Sequence, residues 1–314
     1  INNGTITLTG NNSVGIYANL VSKVINNGIL NLNGNNNIGI LLSQGSVLEN
    51  TASGVINLNG QNNIEVSTGS EGYTPPSIIN SGVIKVDEKF ILDGINLTIA
   101  VDPSTVRPAT PEEILLGGYS SEDIKAGFLV SNKVQVVAPS FDISTPVIID
   151  PLFSQGTNSL VYKFEDVFNP SNVTSEDNKI GVSSGSLTFE ATPVVNDKGN
   201  IDIWMEKIPY ANFTKGSWYE EFGKVLDKNY FNPNILGGNT GDALLIYDKI
   251  DLIKDEQTFQ NIISDLAGNM YANINQREDN IARAFKDSLS ILQNSENNTK
   301  ENVKINIIGG KGST

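Results

Sequence analysis

A repeated segment that begins with glycine and then alternates between apolar and polar residues constrains the fold more than any other feature. Gly4, Gly28, Gly54 and Gly82 align at spacings of 24, 26 and 28 residues. Alternation with a period of two is typical of a strand that buries one face. The expected inward residues are Ile6 and Leu8, Leu30 and Leu32, Ile56 and Leu58, and Ile84 and Val86.

A second short strand is predicted in each of the first three repeats, after a corner rich in Gly and Asn. Its expected inward residues are Val14 and Ile16, Ile38 and Ile40, and Ile64 and Val66. One repeat cannot cover its own apolar strip, so neighbouring repeats must stack and pair their strands about 4.8 Å apart. We therefore predict a mainly β fold, a right-handed parallel β-helix (a solenoid). A leucine-rich repeat would need a longer convex segment and a different leucine spacing.

Asparagines recur at the corners of the repeats and are expected to stack as hydrogen-bonded ladders. The aligned set is Asn2, Asn3, Asn26, Asn27 and Asn80. Asparagine is suited to corners because it tolerates a left-handed backbone and its amide can bond a neighbouring peptide group.

Alternation continues through Ile95, Leu97, Ile99 and Val101, stops at 102–127, and resumes at Val134, Val136, Phe141, Ile143 and 147–149. Within the gap, Thr110 and Pro111 supply a cap and a first-turn proline, and Gly117 ends the run, which predicts one short helix. The segment 102–127 is therefore an excursion. It is either a tolerated decoration or a binding loop on a rigid scaffold.

The pattern changes twice towards the carboxyl end. From about 155 to 210 the strands become aromatic and hairpin-like, with NDKGN at 196–200 as a turn, and we expect this region to cap the solenoid. From 211 the pattern is helical, with Ile262, Ile263, Leu266 and Met270, then Ile281, Phe285, Leu289 and Leu292, on the apolar faces of two helices or of one helix kinked near Asn275. Alternation returns at 303–314 and predicts the beginning of a strand.

The sequence contains neither cysteine nor histidine. This excludes disulfides, thiol nucleophiles, imidazole bases and Cys/His metal sites. It suits a chain secreted in an extended state, because disulfides would close loops too wide to thread; chance or a cytosolic origin is the alternative. The net charge is −14 and the only arginines are Arg107, Arg277 and Arg283, so we expect no nucleic-acid partner.

No apolar run is long enough for a transmembrane helix, and no signal peptide is recognisable. The chain is therefore expected to be a piece of a longer protein or a mature form.

One hydrolase-like pattern, Gly-x-Ser-x-Gly, occurs at 181–185 with Ser183 at its centre. That motif requires a strand-to-helix turn and a histidine partner, whereas the flanking residues predict strands and histidine is absent. Acidic pairs that might serve a hydrolase or a calcium ion are interpreted as solvated faces, and no calcium-loop motif is present. These pairs are Asp255 and Glu256, Glu220 and Glu221, and Asp248 and Asp251. We predict no catalytic residue, no cofactor and no metal site.

Several aromatic residues are candidates for stacking sugars on an adhesive surface, but the pattern assigns no ligand-binding residue. They are Tyr17, Tyr73, Tyr119, Trp204, Tyr210, Trp218 and Tyr219. Trp204 alternates with Ile203 in a predicted capping strand and is interpreted as core.

Three stretches resemble the junction of type Va autotransporters, particularly large fusobacterial adhesins. They are IDIWMEKIPY (201–210), like the end of the autochaperone region; KVLDKNY with LLIYDKID (224–251), like the helical connection; and LAGNMYANI (266–274), like the pre-barrel signature. In the last, Ala267 replaces the usual serine. NIIGGKGS (306–313) is similar to the first barrel strand, although the customary tryptophan is missing.

The resemblance implies a passenger that threads through its own C-terminal barrel, folds outside from its C-terminal cap and needs no ATP site. It implies that the helix at 256–293 lies in the barrel lumen, although an ordinary surface helix would have the same polar residues. The serine protease and esterase motifs of the family are missing; the nearest, at 286–289, is predicted to be helical.

The predicted domains are a β-helix stalk at 1–150, an autochaperone-like cap at 151–212, a helical linker at 213–302 and the start of a barrel strand at 303–314. The expected function is the membrane-proximal passenger and secretion junction of an outer-membrane surface adhesin, not an enzyme. The expected partners are its own outer-membrane β-barrel and an unidentified host or bacterial surface receptor, and a monomer is expected from the family. The alternatives are a β-helical polysaccharide-active enzyme, which would need clustered Asp, Arg or Lys where this chain has Thr and Asn, and a purely structural spacer.

Overall fold

Strands in the first part of the chain pair in parallel with strands one repeat further on. The computed structural model describes residues 1–60, 62–66, 74–120, 124, 127–154, 156–170, 180–230, 242–269, 282–283 and 285–287. The described residues are mainly β, with helices towards the carboxyl end.

The elements are numbered in chain order. The strands are β1 (Thr5–Leu8), β2 (Val14–Ala18), β3 (Lys23–Asn26), β4 (Ile29–Leu32), β5 (Asn37–Leu42), β6 (Val47–Asn50), β7 (Val55–Leu58), β8 (Asn62–Val66), β9 (Ser77–Asn80), β10 (Val83–Val86), β11 (Phe90–Leu92), β12 (Asn96–Ala100), β13 (Arg107–Pro108), β14 (Phe128–Ser131), β15 (Gln135–Ala138), β16 (Phe141–Ile143), β17 (Val147–Asp150), β18 (Val161–Pro170), β19 (Val182–Ser184), β20 (Phe189–Val195) and β21 (Ile201–Lys207). The helices are α1 (Pro111–Leu116), α2 (Tyr210–Thr214), α3 (Glu220–Tyr230), α4 (Asp242–Asp251) and α5 (Glu256–Ser264), with a 3-10 turn at Pro103–Thr105 and a π-helical turn at Asp265–Asn269.

The strands that follow the aligned glycines lie side by side in the first sheet in the order β1, β4, β7 and β10, and β15 pairs with β10 and extends this sheet. Their register places Ile6 beside Leu30 and Leu30 beside Ile56, as the alternation predicts. Leu30 and Ile56 are fully buried, whereas Ile6 is 42% exposed, because no described strand pairs with the other edge of β1. The stacking of the repeats is therefore confirmed, while the closed right-handed helix stays a prediction.

Each repeat contributes three strands, so the prediction of two strands in each of the first three repeats is wrong. The additional strands are β3, β6 and β9, and they lie in the second sheet, whose order is β3, β6, β9, β12, β17 and β19. Leu48 of β6 pairs with Ile78 of β9, which pairs with Leu97 of β12. These side chains are buried and join the same apolar core as Leu30 and Ile56.

The third sheet is the set predicted after the Gly/Asn corner, in the order β2, β5 and β8. Its register shifts between Ile38 and Ile40, so Ile38 lies beside Asn63 while Ile40 lies beside Ile64. Ile40 and Ile64 are buried as predicted, but Ile38 is only half-buried. The shift breaks the period of two, which the sequence pattern alone could not show.

The predicted asparagine ladder is present. Asn2 donates to Asn26 at 2.8 Å, and Asn27 donates to Asn3 at 2.8 Å. Asn50, which the sequence analysis left out, links Asn26 to Asn80. The predicted left-handed backbone is wrong for the ladder, since Asn26, Asn50 and Asn80 end extended strands; positive φ occurs instead at Asn12 and Asn36.

The excursion also follows the prediction. Thr110 caps α1 in a reciprocal capping box with Glu113, and Gly117 is the C-cap. The stack resumes after it, because β15 pairs in parallel with β10 and β17 pairs in parallel with β12. The chain between β12 and β15 adds β13 and β14, which pair antiparallel.

Pairing changes from parallel to antiparallel in the predicted cap. β18 pairs in parallel with β14 and β15 but antiparallel with β21, and β20 and β21 form the predicted hairpin. A bulge interrupts β18 between Phe164 and Phe168, where Asp166 has φ +52°. Asn196 and Asn200 of the hairpin turn donate to Asp166 at 2.8 and 2.9 Å, which holds the bulge against the turn.

The chain divides into two compact units, Ile1–Phe259 and Gln260–Thr314. Of the apolar face predicted in the second unit, Ile263 is buried, but Ile262, Leu266 and Phe285 are exposed. Helical geometry breaks at Gly268, where φ is +108°. The predictions for Met270, the kink near Asn275, Ile281, Leu289, Leu292, most of the pre-barrel signature and the strand at 303–314 lie outside the described residues.

In the part of the chain described above, no helix is both long enough and apolar enough to cross a membrane.

Candidate functional site

A buried ion pair joins the last strand of the cap to a helix more than forty residues further on. Lys207 ends β21, where Ile201, Ile203 and Met205 precede it on the inward phase of the strand. Its Nζ lies 3.0 Å from Oδ1 of Asp251, the last residue of α4. The two side chains are 1% and 0% exposed.

Three side chains donate hydrogen bonds to Asp251 Oδ1. Besides Lys207, the Thr188 hydroxyl donates to it at 2.6 Å and the Tyr210 hydroxyl at 2.8 Å. Asp251 Oδ2 accepts no hydrogen bond from the residues that the structure describes. The donors therefore converge on one of the two carboxylate oxygens.

Aromatic rings surround the ammonium group. Lys207 Nζ lies 3.7 Å from the ring centroid of Tyr210 and 4.9 Å from those of Phe189 and Tyr230. Burial lowers the pKa of Lys207, and the Asp251 carboxylate opposes this effect. Burial also raises the pKa of Tyr210 and Tyr230 well above the usual tyrosine value, and the same carboxylate adds to the increase. We call Lys207, Asp251, Thr188, Phe189, Tyr210 and Tyr230 the Lys207 cluster.

A second buried acid holds the first helix after the cap. Asp227 of α3 accepts from the backbone N–H of Tyr210 at 2.7 Å and of Ala211 at 2.9 Å, and so caps α2 from another helix. Burial raises the pKa of Asp227, against the effect of these two hydrogen bonds. Leu187 N–H donates to the carbonyl of Ile253 at 2.8 Å, a further backbone link between the cap and the chain after α4.

The interpretation of the acidic pairs as solvated faces is wrong for one of them. Asp248 and Asp251 are 7% and 0% exposed, whereas Glu220 and Glu221 lie at the surface of α3 and pair with Lys224. Two signals could have identified the buried site. Lys207 continues the inward phase of β21, and Asp248 and Asp251 continue the apolar face begun by Leu244 and Tyr247 in α4.

The other candidate residues named from the sequence do not come together in one site. Ser183 lies within β19, which pairs with β17, and not at a strand-to-helix turn. Among the aromatic candidates, Tyr210 is buried in the Lys207 cluster, Tyr17 and Trp218 are exposed, and Tyr73 lies outside the described residues. Trp204 is half-buried against Phe128 and Tyr119, so it packs as the sequence predicted.

The excursion borders a groove of about 740 Å³ between Ser104–Arg107 and Val130–Lys133. Arg107 points two of its guanidinium nitrogens at Glu113, at 2.6 and 2.8 Å. The hydrogen bond from this guanidinium lowers the pKa of Glu113 to about 2. The pair stabilises α1 on the edge of the groove and leaves Lys133 as the other basic residue of its lining.

Within the described ranges, no three acidic residues lie close enough together to hold a metal ion. The sequence contains no cysteine or histidine that could supply a further ligand.

A family model described as the BigA beta sandwich domain matches residues 123–209. The matched region contains β14 to β21 and includes Lys207. The similarity suggests a bacterial surface-associated protein, and for these residues it suggests a β-sandwich, where the sequence analysis predicted the end of the stalk and the cap. No curated protein and no solved structure matches the chain significantly.

Proposed function

We propose that this chain is the membrane-proximal passenger and secretion junction of an autotransporter surface adhesin. The observation that carries the proposal is a parallel stack of repeats that passes directly into an antiparallel cap, which the Lys207 cluster joins to the helices that follow. As part of the same proposal, the first, second and third sheets are the faces of a right-handed parallel β-helix. The similarity of residues 123–209 to a surface-protein domain supports a location outside the cell.

The order in which the cap and the repeats fold supports this role. A repeat that adds to an existing edge gains strand pairing and apolar burial without forming a new nucleus. In the cap, Phe153, Tyr162 and Phe189 pack with ring centroids 5.1 to 5.9 Å apart and continue the apolar core of the stack. A cap that folds first outside the cell would therefore present the edge on which the stalk grows, and this growth would favour outward movement.

The proposed partners follow from this role. One is the protein's own C-terminal outer-membrane β-barrel, with the segment 256–293 in its lumen, and the other is an unidentified receptor on a host or bacterial surface. The proposed role is not enzymatic, and the location of Ser183 within a strand supports this.

Surface display in the full-length gene tests the proposal. Deletion of 256–293 is expected to abolish cleavage of the stalk by protease added to intact cells, because the junction between barrel and passenger is lost. Deletion of 103–126, the excursion, is the matched control and is expected to leave display intact, since β15 can still pair with β10. Display that survives deletion of 256–293 would refute the secretion junction.

A further inference from the structure

Lys207 and Asp251 are separated by 44 residues and meet in an interior that water does not reach. A salt bridge in such a place is expensive, because both ions lose their hydration and the attraction between them only partly compensates. Transfer of one proton from the ammonium to the carboxylate removes both charges and leaves a neutral amine beside a carboxylic acid. A neutral amine is a nucleophile, and it can attack the carbonyl carbon of a carboxylic acid when that carbonyl is activated.

The surroundings of Asp251 would activate its carbonyl carbon. The Thr188 and Tyr210 hydroxyls both donate to Oδ1, the oxygen on which negative charge develops when an amine adds to the carbon. Oδ2 has no donor among the described residues and is the oxygen free to depart. The geometry thus separates the stabilised oxygen from the leaving oxygen.

We propose that Lys207 and Asp251 condense to an intramolecular isopeptide bond. The Lys207 Nζ lone pair attacks Asp251 Cγ, the Nζ–Cγ bond forms, and the Cγ–Oδ2 bond breaks. Oδ2 leaves as water, carrying the proton of the carboxylic acid and one proton from the nitrogen. The product is a neutral amide, and no oxidant, cofactor or other reactant is consumed.

The rings of Phe189, Tyr210 and Tyr230 assist the proposed condensation by excluding water. They enclose the nitrogen at 3.7 to 4.9 Å from their centroids, which holds the amine in place and keeps out the water needed for hydrolysis. Thr188 and Tyr210 contact a reacting atom and are therefore catalytic residues of the proposed step, while Phe189 and Tyr230 position the amine.

The bond would join the last strand of the cap to the end of α4 permanently. A cysteine-free chain has no disulfide to do this, and the condensation can occur only after folding brings the two residues together. The bond would form in the folded unit whether or not the chain is an autotransporter passenger.

Intact mass spectrometry of the purified wild-type protein is the direct test. We expect a mass lower than that of the sequence by one water, and a proteolytic digest that contains a branched peptide joining Lys207 to Asp251. Lys207→Arg removes the nucleophile and is expected to restore the full sequence mass.

Lys163→Arg is the matched control. Lys163 lies in the adjacent strand β18 and pairs with Asp202 at 3.2 Å, but 20% of its side chain is exposed, and its variant should retain the loss of one water. A folded wild-type protein of full sequence mass, or a water loss that maps to another pair of residues, would overturn the proposal. These measurements remain decisive even where Lys207→Arg does not fold, because they use the unaltered chain.

Discussion

Asn26 donates from Nδ2 to Oδ1 of Asn50 at 2.8 Å, across two repeats that are 24 residues apart in the chain. Asn50 Nδ2 in turn donates to Asn80 Oδ1 at 2.9 Å and also lies within hydrogen-bond distance of the carbonyls of Gly54 and Val83. All three asparagines are buried. The ladder therefore satisfies polar groups inside the stack and fixes the register of successive repeats.

Replacement of Asn50 by alanine should be strongly destabilising. It removes a side chain that bonds both neighbouring asparagines and leaves buried donors and acceptors without partners, which costs about 2–4 kcal/mol of unfolding free energy. Urea denaturation followed by circular dichroism measures the change. Asn57→Ala is the control, because Asn57 bonds Asn31 at 2.7 Å on a half-buried ladder, where water can replace it, and should cost less than about 1 kcal/mol. Equal losses in the two variants would contradict a special role for the buried ladder.

The aligned glycines should differ in their tolerance of a side chain. A Cβ at Gly28 would collide with the backbone of Gly4 in the neighbouring repeat, whereas a Cβ at Gly4 would meet open space. Gly28→Ala is therefore expected to lower the unfolding free energy by about 1–3 kcal/mol through overpacking. Gly4→Ala should leave the unfolding free energy unchanged or slightly higher. Thermal denaturation of the pair tests this, and a stable Gly28→Ala protein would argue against close stacking of these repeats.

Helix α1 should lose stability in acid through Glu113. The pKa of Glu113 is lowered from 4.5 to about 2, first by the hydrogen bond from Arg107, so folding favours the ionised form. Its contribution is complete above pH 4.5 and is lost as the pH falls towards 2. Amide hydrogen exchange in α1 (Pro111–Leu116), expressed as protection factors that correct for the slower intrinsic exchange in acid, should show a loss of protection over this range in the wild type.

Glu113→Gln should remove most of that acid dependence, because the ionisable group is gone. Glu112→Gln, at the adjacent position outside the capping box, is the control and should behave like the wild type. Acid dependence that persists unchanged in Glu113→Gln would assign it to another group.

Asp227 should be needed for the docking of α2. Asp227→Ala leaves the N–H groups of Tyr210 and Ala211 without their acceptors and is expected to cost about 2–4 kcal/mol of unfolding free energy. Asp227→Asn keeps one acceptor oxygen and should lose less. Glu221→Ala, on the exposed face of the same helix, should have no measurable effect in the same denaturation experiment. A harmless Asp227→Ala would show that α2 is held by its packing alone.

Local and periodic features of the sequence were sufficient for much of the fold. The alternation after Gly28 and Gly54 determined which residues face inward, because a strand has a side-chain period of two and only one face was apolar. Repetition determined the pairing partner, since equivalent strands stack on one another. The helix of the excursion followed from Thr110, Pro111 and Gly117, because a cap, a first-turn proline and a terminating glycine act only through neighbouring residues.

Only the tertiary structure determined which side chains are buried by an element that is distant in sequence. The strands β3, β6 and β9 of the second sheet, and the register shift between Ile38 and Ile40, arise from the fit of whole repeats to one another, which no single segment encodes. Asp251 is an acidic residue of a helix, like the exposed acids of α3. It is nevertheless buried, because β21 and the aromatic rings cover the end of α4. The sequence by itself determined that the repeats stack, because that signal is periodic and local; the site formed by Lys207 and Asp251 exists only where two separated segments exclude water from the same place.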